Sequence, residues 1–190
     1  MKAKPPIIAL RALTLCLVLA PPLQAAPLVG RPAPALVVSD IAGRTLDLQA
    51  MRGRVVVVAL WATWCPDCRA ELKMLGEFAD RYRSDGVEVI GLSVDGRHER
   101  GAVRKIASGL AYPVAMLADA AGSGFDSPPA VPETLVIDRA GIVRAVLGAE
   151  QAPIREEALA ALVAPLLRTG APSPPARPIA DALIRTPPAA

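Results

Sequence analysis

The sequence predicts an α/β domain built on a mixed sheet that is covered on both faces. One unbroken apolar run, residues 55–60, has the composition of a strand buried on both sides, as in parallel sheets, and residues 87–94 are predicted to be a second buried strand. A predicted helix follows each of these two strands. Further along, strand-like segments at 134–137 and 142–147 flank a short polar turn, which is typical of an antiparallel hairpin. Parallel strands joined by helices, together with this hairpin, make a mixed sheet.

The first half of the domain begins with a small hairpin. Segments 36–38 and 45–48 are strand-like and flank the turn residues Ala42 and Gly43. After the run at 55–60, a helix is predicted from Pro66 to about Tyr82, because proline fits the first helical position and apolar side chains recur at helical spacing.

The second half alternates in the same way, and its last helix has an apolar stripe. The predicted elements are a strand at 87–94, a helix at 97–110, an extended piece at 112–117, a loop at 118–130, strands at 134–137 and 142–147, and a helix at 154–167.

The N-terminal segment has the order of a secretory signal peptide. It carries three basic residues and no acidic one, then an apolar stretch at 12–20, and small residues at 23–26. We predict cleavage after Ala25, so that residues 1–25 are the signal and the protein is periplasmic. The alternative is an uncleaved anchor that associates residues 7–26 with the inner membrane, although this apolar stretch is shorter than the roughly 20 residues that span a bilayer.

Removal of that signal changes what the composition implies. The chain has 21 basic and 18 acidic residues, and three of the basic ones lie in the signal, so the remainder is near neutral and no nucleic-acid partner is expected. Cys16 would leave with the signal, which makes Cys65 and Cys68 the remaining cysteines. The Pro/Ala-rich segment 169–190 is predicted to be a disordered tail, because prolines at that density cannot maintain a helix or a strand.

The cysteine pair lies in the sequence Trp64-Cys65-Pro66-Asp67-Cys68, directly after a buried strand and at the start of a helix. That context predicts thiol–disulfide exchange. Cys65 is expected in the first, exposed position, where the helix N-terminus stabilises a thiolate, and Cys68 is expected to be the more buried, resolving thiol. Pro66 starts the helix, and Trp64 is expected to cover the site and to present a flat apolar surface to a partner.

Two acidic residues accompany the pair. The Asp67 charge supports the helix start but disfavours a thiolate on Cys65, so we hypothesise that it makes the pair more reducing. Glu71 follows Cys68 by three residues and could exchange protons with the buried thiol. The alternative for Glu71 is an exposed carboxylate that pairs with Arg69 or Lys73.

Two cysteines at this spacing also occur in metal sites and in structural disulfides. A zinc site needs two more ligands, and the only histidine, His98, lies in a charged stretch, so no metal site is predicted. A purely structural disulfide that closes a loop of two residues would confine the unfolded chain little. A copper(I) carrier remains the main alternative function, because thiolates are soft ligands. A thiol peroxidase would need a Thr and Arg constellation around a lone cysteine.

Three segments together resemble a known family. They are residues 30–34 with the Gly43 hairpin, residues 55–72 with the cysteine pair and Glu71, and residues 131–138. They are similar to the periplasmic or membrane-associated thioredoxin-like thiol–disulfide oxidoreductases of the TlpA, ResA and DsbE type, which include cytochrome c maturation proteins. The resemblance implies a thioredoxin fold over residues 28–168 with an N-terminal β-hairpin addition.

The resemblance also implies roles that spacing alone does not. It implies a cis peptide bond before Pro132, beside the cysteines, with the Val131 backbone extended and able to pair with a substrate strand. Trp64, Val131 and Pro132 are then the expected substrate-binding residues. Thioredoxin carries a buried acid where this chain has Ala59, which leaves Glu71 as the matching proton carrier.

The implied activity is reduction of disulfides in periplasmic client proteins, such as apocytochrome c or copper-site assembly proteins. No cofactor is expected beyond the redox-active disulfide Cys65–Cys68. Because the compartment is oxidising, the resemblance further implies a membrane protein that supplies electrons to the pair.

Overall fold

The computed structural model describes residues 28–120 and 122–168. The predicted signal at 1–25 and the predicted tail at 169–190 lie outside these residues. In the described part of the chain, no helix is long and apolar enough to cross a membrane.

A five-stranded mixed sheet forms the centre of the domain. Its strands are β3 (Val55–Trp61), β4 (Val87–Ser93), β5 (Val114–Met116), β6 (Glu133–Ile137) and β7 (Val143–Leu147). They lie in the order β5-β4-β3-β6-β7. Strands β3, β4 and β5 are parallel, and β6 and β7 are antiparallel to their neighbours, which confirms the predicted mixed sheet.

The pairing register brings three strand ends to one edge of the sheet. Trp61, the last residue of β3, lies beside Ser93, the last residue of β4. On the other side, Leu60 lies opposite Glu133, the first residue of β6. The segments that follow β3 and β4 and the segment that precedes β6 therefore meet at the same edge.

A two-stranded hairpin, β1 (Val37–Ser39) and β2 (Thr45–Asp47), precedes the sheet as predicted. Its turn is closed by the buried carboxylate of Asp40, which accepts the backbone N–H groups of Ala42 and Arg44 and pairs with the Arg44 guanidinium. Gly43 has a φ of 84° in this turn, in the left-handed region that glycine adopts without a steric cost.

Three α-helices complete the domain: α1 (Pro66–Tyr82), α2 (Arg100–Ala107) and α3 (Glu156–Arg168). The first matches its prediction. The second is shorter than the predicted 97–110, because residues 97–99 form a 3₁₀ turn and the chain leaves the helix at Ser108. The third begins two residues later than predicted, after a cis peptide bond at Ala152–Pro153 that no sequence signal indicated.

The two faces of the sheet are covered by different elements. Side chains from all three helices pack with alternate β3 residues, among them Val57 and Ala59. The other β3 residues, including Val58 and Leu60, pack in a second cluster with the hairpin and with the segment around Phe125. The unbroken apolar run of β3 is explained by this burial on both faces.

Candidate active site

Cys65 is the N-cap of α1, four residues beyond the end of β3. Its N–H donates to the Ala62 carbonyl at 3.2 Å, and Pro66 is the first helical residue. The N–H of Cys68 donates to the Sγ of Cys65 at 3.1 Å. This sulfur therefore caps one of the backbone N–H groups that have no partner within the helix in its first turn. A negative charge on this sulfur would be stabilised by the same N–H and by the helix dipole.

The two cysteines are joined in a disulfide, with their Cα atoms 5.3 Å apart. Cys68 is completely buried, as predicted. Cys65 is only 4% exposed, so the prediction of an exposed first cysteine is wrong for the oxidised form. The physical reason is that the start of β6 reaches the same edge of the sheet and covers this sulfur.

The covering segment is the cis peptide Val131–Pro132. The Val131 carbonyl oxygen lies 3.7 Å from the Sγ of Cys65, and Pro132 is buried just before β6. Among the described residues, the N–H of Val131 has no hydrogen-bond partner. An extended polypeptide beside Cys65 would find a backbone donor there, which is how strand addition gains affinity.

The remaining residues of the pentapeptide face solvent. Trp64 is 68% exposed, so it presents a flat apolar surface to solvent. Pro66 and Asp67 are also exposed, in the first turn of α1. The charge of Asp67 therefore acts on Cys65 through a solvated, high-dielectric path.

Glu71 lies on the buried face of α1, and its side chain is 1% exposed. The Thr134 hydroxyl donates to its Oε1 at 2.5 Å, while its Oε2 has no hydrogen-bond partner among the described residues. The alternative of an exposed carboxylate paired with Arg69 or Lys73 is therefore wrong. Thr134 lies opposite Ala59 in the sheet, so its hydrogen bond brings Glu71 to the pairing of β3 and β6.

Burial is the main cause of an upward shift in the pKa of Glu71. Hydrogen bonding from Thr134 and the nearby backbone of Ile154 oppose this shift without cancelling it. Burial also raises the pKa of Tyr112, and the Glu71 charge raises it further. Glu71 is therefore a buried acid that holds a proton more tightly than an exposed glutamate does.

A second buried carboxylate, which the sequence reasoning missed, lies beside the segment before Cys65. Asp95 accepts the backbone N–H of Thr63 at 2.9 Å and the Thr63 hydroxyl at 2.8 Å. It also accepts the Ser93 hydroxyl at 2.7 Å. The signal that could have found it is an acidic residue immediately after an apolar strand, at the edge where parallel strands end.

His98 does not join the site. Its side chain is exposed and lies 3.3 Å from Glu99. In the part of the chain that the structure describes, no group of three or more His, Cys, Asp or Glu side chains is placed to hold a metal ion.

With this geometry established, comparison with known proteins gives a family. Residues 29–146, more than half of the chain, match the AhpC/TSA family. The chain belongs to the AhpC/TSA family. The match covers the hairpin, the cysteine pair and the cis-proline segment, which are the pieces of the predicted resemblance.

Two relatives define the activity within this family. The chain is 31% identical over 123 residues to the thiol-disulfide oxidoreductase ResA of Bacillus thuringiensis (strain Al Hakam), covering 63% of this chain and 70% of that protein. It is 32% identical over 123 residues to the thiol:disulfide interchange protein DsbE of Yersinia pestis, covering 62% of each. This AhpC/TSA family member is therefore a thiol-disulfide oxidoreductase of the ResA and DsbE type.

Solved structures agree on the fold. A thiol-disulfide isomerase from Corynebacterium glutamicum superposes with a TM-score of 0.62 at 22% identity, over 74% of this chain and 98% of that one. The secreted Mycobacterium tuberculosis disulfide oxidoreductase that is homologous to E. coli DsbE gives a TM-score of 0.57 at 23% identity, over 68% of this chain and 95% of that one. The predicted thioredoxin fold is confirmed.

The raised pKa of Glu71 predicts how stability depends on pH. The folded chain holds this proton more tightly than the unfolded chain, so the free energy of unfolding should fall as the pH rises from the ordinary range of glutamate through the raised pKa. Glu71→Gln removes this loss. The oxidised variant should be more stable than wild type at the alkaline end and little different at the acid end, measured by urea unfolding between about pH 4 and pH 8.

Glu77→Gln is the matched control, because Glu77 is exposed on the same helix. This variant should follow the wild-type curve. Parallel pH profiles for Glu71→Gln and wild type would contradict the prediction.

Proposed function

We propose that the chain is an exported thiol-disulfide oxidoreductase that reduces disulfides in periplasmic client proteins. The observation that carries the proposal is the position of Cys65. It is the N-cap of α1, it is bonded to Cys68, and its Sγ lies 3.7 Å from the carbonyl of Val131. This arrangement supports a sulfur that can leave and return as a thiolate at the point where an extended client segment would add to the chain.

In the proposed reaction, the reduced chain transfers two electrons to one client disulfide. The Cys65 thiolate attacks one client sulfur, which breaks the client disulfide, releases one client thiolate and forms a mixed disulfide. The Cys68 thiol loses its proton, and its thiolate attacks the Sγ of Cys65. That step releases the second client thiolate and forms the Cys65–Cys68 disulfide.

Glu71 is the proposed carrier of the proton that Cys68 loses. It follows Cys68 by three residues on the same buried face of α1, where few other groups can take a proton. Its carboxylate form is disfavoured by burial, so it readily accepts the proton when Cys68 ionises and returns it when the disulfide is reduced.

The proposed partners follow from the direction of electron flow. A reductant in an oxidising compartment must be reduced again after each turnover, so we propose a membrane protein as the electron donor. Apocytochrome c and copper-site assembly proteins are the two proposed client classes. Both present cysteine pairs whose disulfide must be opened before a metal or haem can bind.

The other uses of the pair receive less support from the geometry. A peroxidase would direct a threonine hydroxyl towards its reactive sulfur, whereas the Thr63 hydroxyl donates to Asp95. A copper(I) carrier could use the two thiolates of the reduced form. Copper titration of the reduced wild type and of Cys68→Ser separates the two functions, because a carrier should lose its stoichiometric site in that variant.

The reduction potential of the pair tests the proposed direction. Equilibration of the purified chain with glutathione should give a value of about −180 mV or below, in the range of reductants and isomerases. A value near about −120 mV would instead make the chain an oxidant and would overturn the proposal.

Trapping of a mixed disulfide tests which of the two cysteines attacks the client. Reduced Cys68→Ser should accumulate a mixed disulfide with oxidised insulin as the probe, because Cys65 attacks and nothing resolves the bond. Reduced Cys65→Ser is the control and should trap little, since Cys68 is completely buried. Equal trapping by both variants would contradict the assignment of Cys65 as the attacking thiol.

Glu71→Gln tests the proton carrier. The variant should oxidise its dithiol about 10²-fold more slowly, within the usual range for loss of an acid–base group, and the pH dependence of the rate should flatten. Stopped-flow tryptophan fluorescence during reaction with oxidised insulin measures both. Glu77→Gln should keep the wild-type rate, and an unchanged rate in Glu71→Gln would reduce Glu71 to a structural role.

Asp67→Asn tests the proposed tuning of the pair. Removal of this exposed charge should lower the pKa of Cys65 and make the reduction potential less negative, with an effect that shrinks as salt increases. Thiolate absorbance against pH measures the shift. Asp80→Asn, an exposed carboxylate near the other end of α1, is the control. A pKa for Cys65 that is unchanged or higher in Asp67→Asn would contradict the hypothesis.

A further inference from the structure

We propose that Asp95 is a positioning residue for the dithiol, which acts by fixing Thr63 and thereby the segment that presents Trp64 and Cys65. The inference rests on the proposed role of Cys65 as the attacking thiol. Residues 62–64 belong to neither β3 nor α1. The pentapeptide contributes a hydrogen bond from the Cys65 N–H to the Ala62 carbonyl, and the bonds to Thr63 come from outside the pentapeptide.

Asp95 is 4% exposed, and both of its carboxylate oxygens accept hydrogen bonds. Its Oδ2 accepts the Thr63 N–H at 2.9 Å and the Ser93 hydroxyl at 2.7 Å, and its Oδ1 accepts the Thr63 hydroxyl at 2.8 Å. Two of the three donors therefore come from the residue two positions before Cys65. A buried carboxylate with this many donors has a defined orientation.

The sheet explains why this side chain is needed. At this edge, the Val94 N–H, just after β4, donates to the carbonyl of Trp61, the last residue of β3, at 2.8 Å. The next donor along that side of the chain, the Thr63 N–H, pairs with the Asp95 side chain and not with the backbone that follows β4. The Asp95 side chain takes the place of the missing backbone acceptor.

The other side of Thr63 is also held. The Arg69 guanidinium, on α1, donates to the Thr63 carbonyl at 3.2 Å. An anion on the N–H side and a cation on the carbonyl side thus hold one peptide segment between strand and helix. Only Trp64 separates this segment from Cys65, so a change in Thr63 should move the attacking sulfur and the exposed indole together.

Asp95 could act by positioning, through its charge, or only by stabilising the fold, and these three roles predict different results. If the carboxylate acted through its charge on Cys65, removal of the charge alone would lower the pKa of that thiol. If it served only to stabilise the fold, its loss would lower the melting temperature without changing the reactivity of the thiol. Positioning predicts slower attack and a higher pKa of Cys65, because the sulfur would no longer be placed at the helix N-terminus.

Two substitutions at this position separate these cases. Asp95→Ala removes all three hydrogen bonds and the charge. Asp95→Asn removes the charge but can keep the geometry, since its amide oxygen can accept the Thr63 N–H and its amide nitrogen can donate to the Thr63 hydroxyl oxygen. The measurements are the rate constant of the reduced full chain with a small aromatic disulfide, and thiolate absorbance against pH. All variants also carry Cys16→Ser, so that the thiols measured are those of the pair.

We expect Asp95→Ala to react about tenfold more slowly or worse, in line with the cost of misplacing a reacting group, and to show a raised pKa of Cys65. Asp95→Asn should recover most of that rate. Thr63→Val, which removes one of the three hydrogen bonds, should slow the reaction less but in the same direction. The Thr63→Val variant also tests the inference if Asp95→Ala does not fold.

Asp40→Ala is the matched control. Asp40 is another buried aspartate that accepts two backbone N–H groups, but it closes the β1–β2 turn, so its loss should reduce stability without changing the rate constant. A lowered pKa of Cys65 in both Asp95 variants, or a wild-type rate constant in Asp95→Ala and Thr63→Val, would overturn the inference.

Cys65→Ser separates this result from a failure of the proposed function. If Cys65→Ser still reacts at the wild-type rate, then Cys65 is not the attacking thiol and both proposals fail. If Cys65→Ser is inert but Asp95→Ala reacts like wild type, only the role of Asp95 is wrong.

Discussion

Backbone pairing of β3 with a parallel strand on one side and an antiparallel strand on the other determines where the functional groups lie. The parallel partner, β4, ends beside β3 and delivers Asp95 to the segment before Cys65. The antiparallel partner, β6, starts beside the end of β3 and delivers the cis peptide before Pro132 and the hydroxyl of Thr134. A slip of one residue in either register would turn these side chains to the other face of the sheet.

The site combines two electrostatic environments that lie within two turns of one helix. At the N-terminus of α1, unpaired N–H groups and the helix dipole favour a negative sulfur on Cys65. One turn further, the environment of Glu71 is buried and favours the neutral acid. Cys68 lies between them and is fully buried, so under the proposed function it depends on Glu71 for proton exchange in a way that Cys65 does not.

Buried carboxylates serve two different purposes in this domain. Asp40 and Asp95 are surrounded by donors, so each has a hydrogen-bonding role in holding a turn or a connecting segment. Glu71 accepts the Thr134 hydroxyl on Oε1, and among the described residues its Oε2 has no hydrogen-bond partner. An acid with unsatisfied hydrogen-bonding capacity costs free energy when buried. That cost is consistent with a residue that functions by changing its protonation state.

Local signals in the sequence determined most of the secondary structure and the identity of the dithiol. The apolar run of β3 and the proline at the start of α1 act over short range, which is why the bounds of these elements were predicted closely. The end of α2 and the start of α3 were predicted less well, because helix ends depend on the turns that follow or precede them. The resemblance to a family supplied the cis-proline, which spacing alone could not.

Only the tertiary structure decided which side chains around the cysteine pair are buried and which hydrogen bonds they make. Whether Glu71 is exposed or buried depends on packing with residues distant in the sequence, such as Thr134, which lies 63 positions away along the chain and donates to it. The contact between Asp95 and Thr63 joins residues 32 positions apart. Such contacts leave no periodic pattern in the sequence, because they depend on strand register, whereas a cysteine pair after a buried strand is a local pattern that the sequence shows directly.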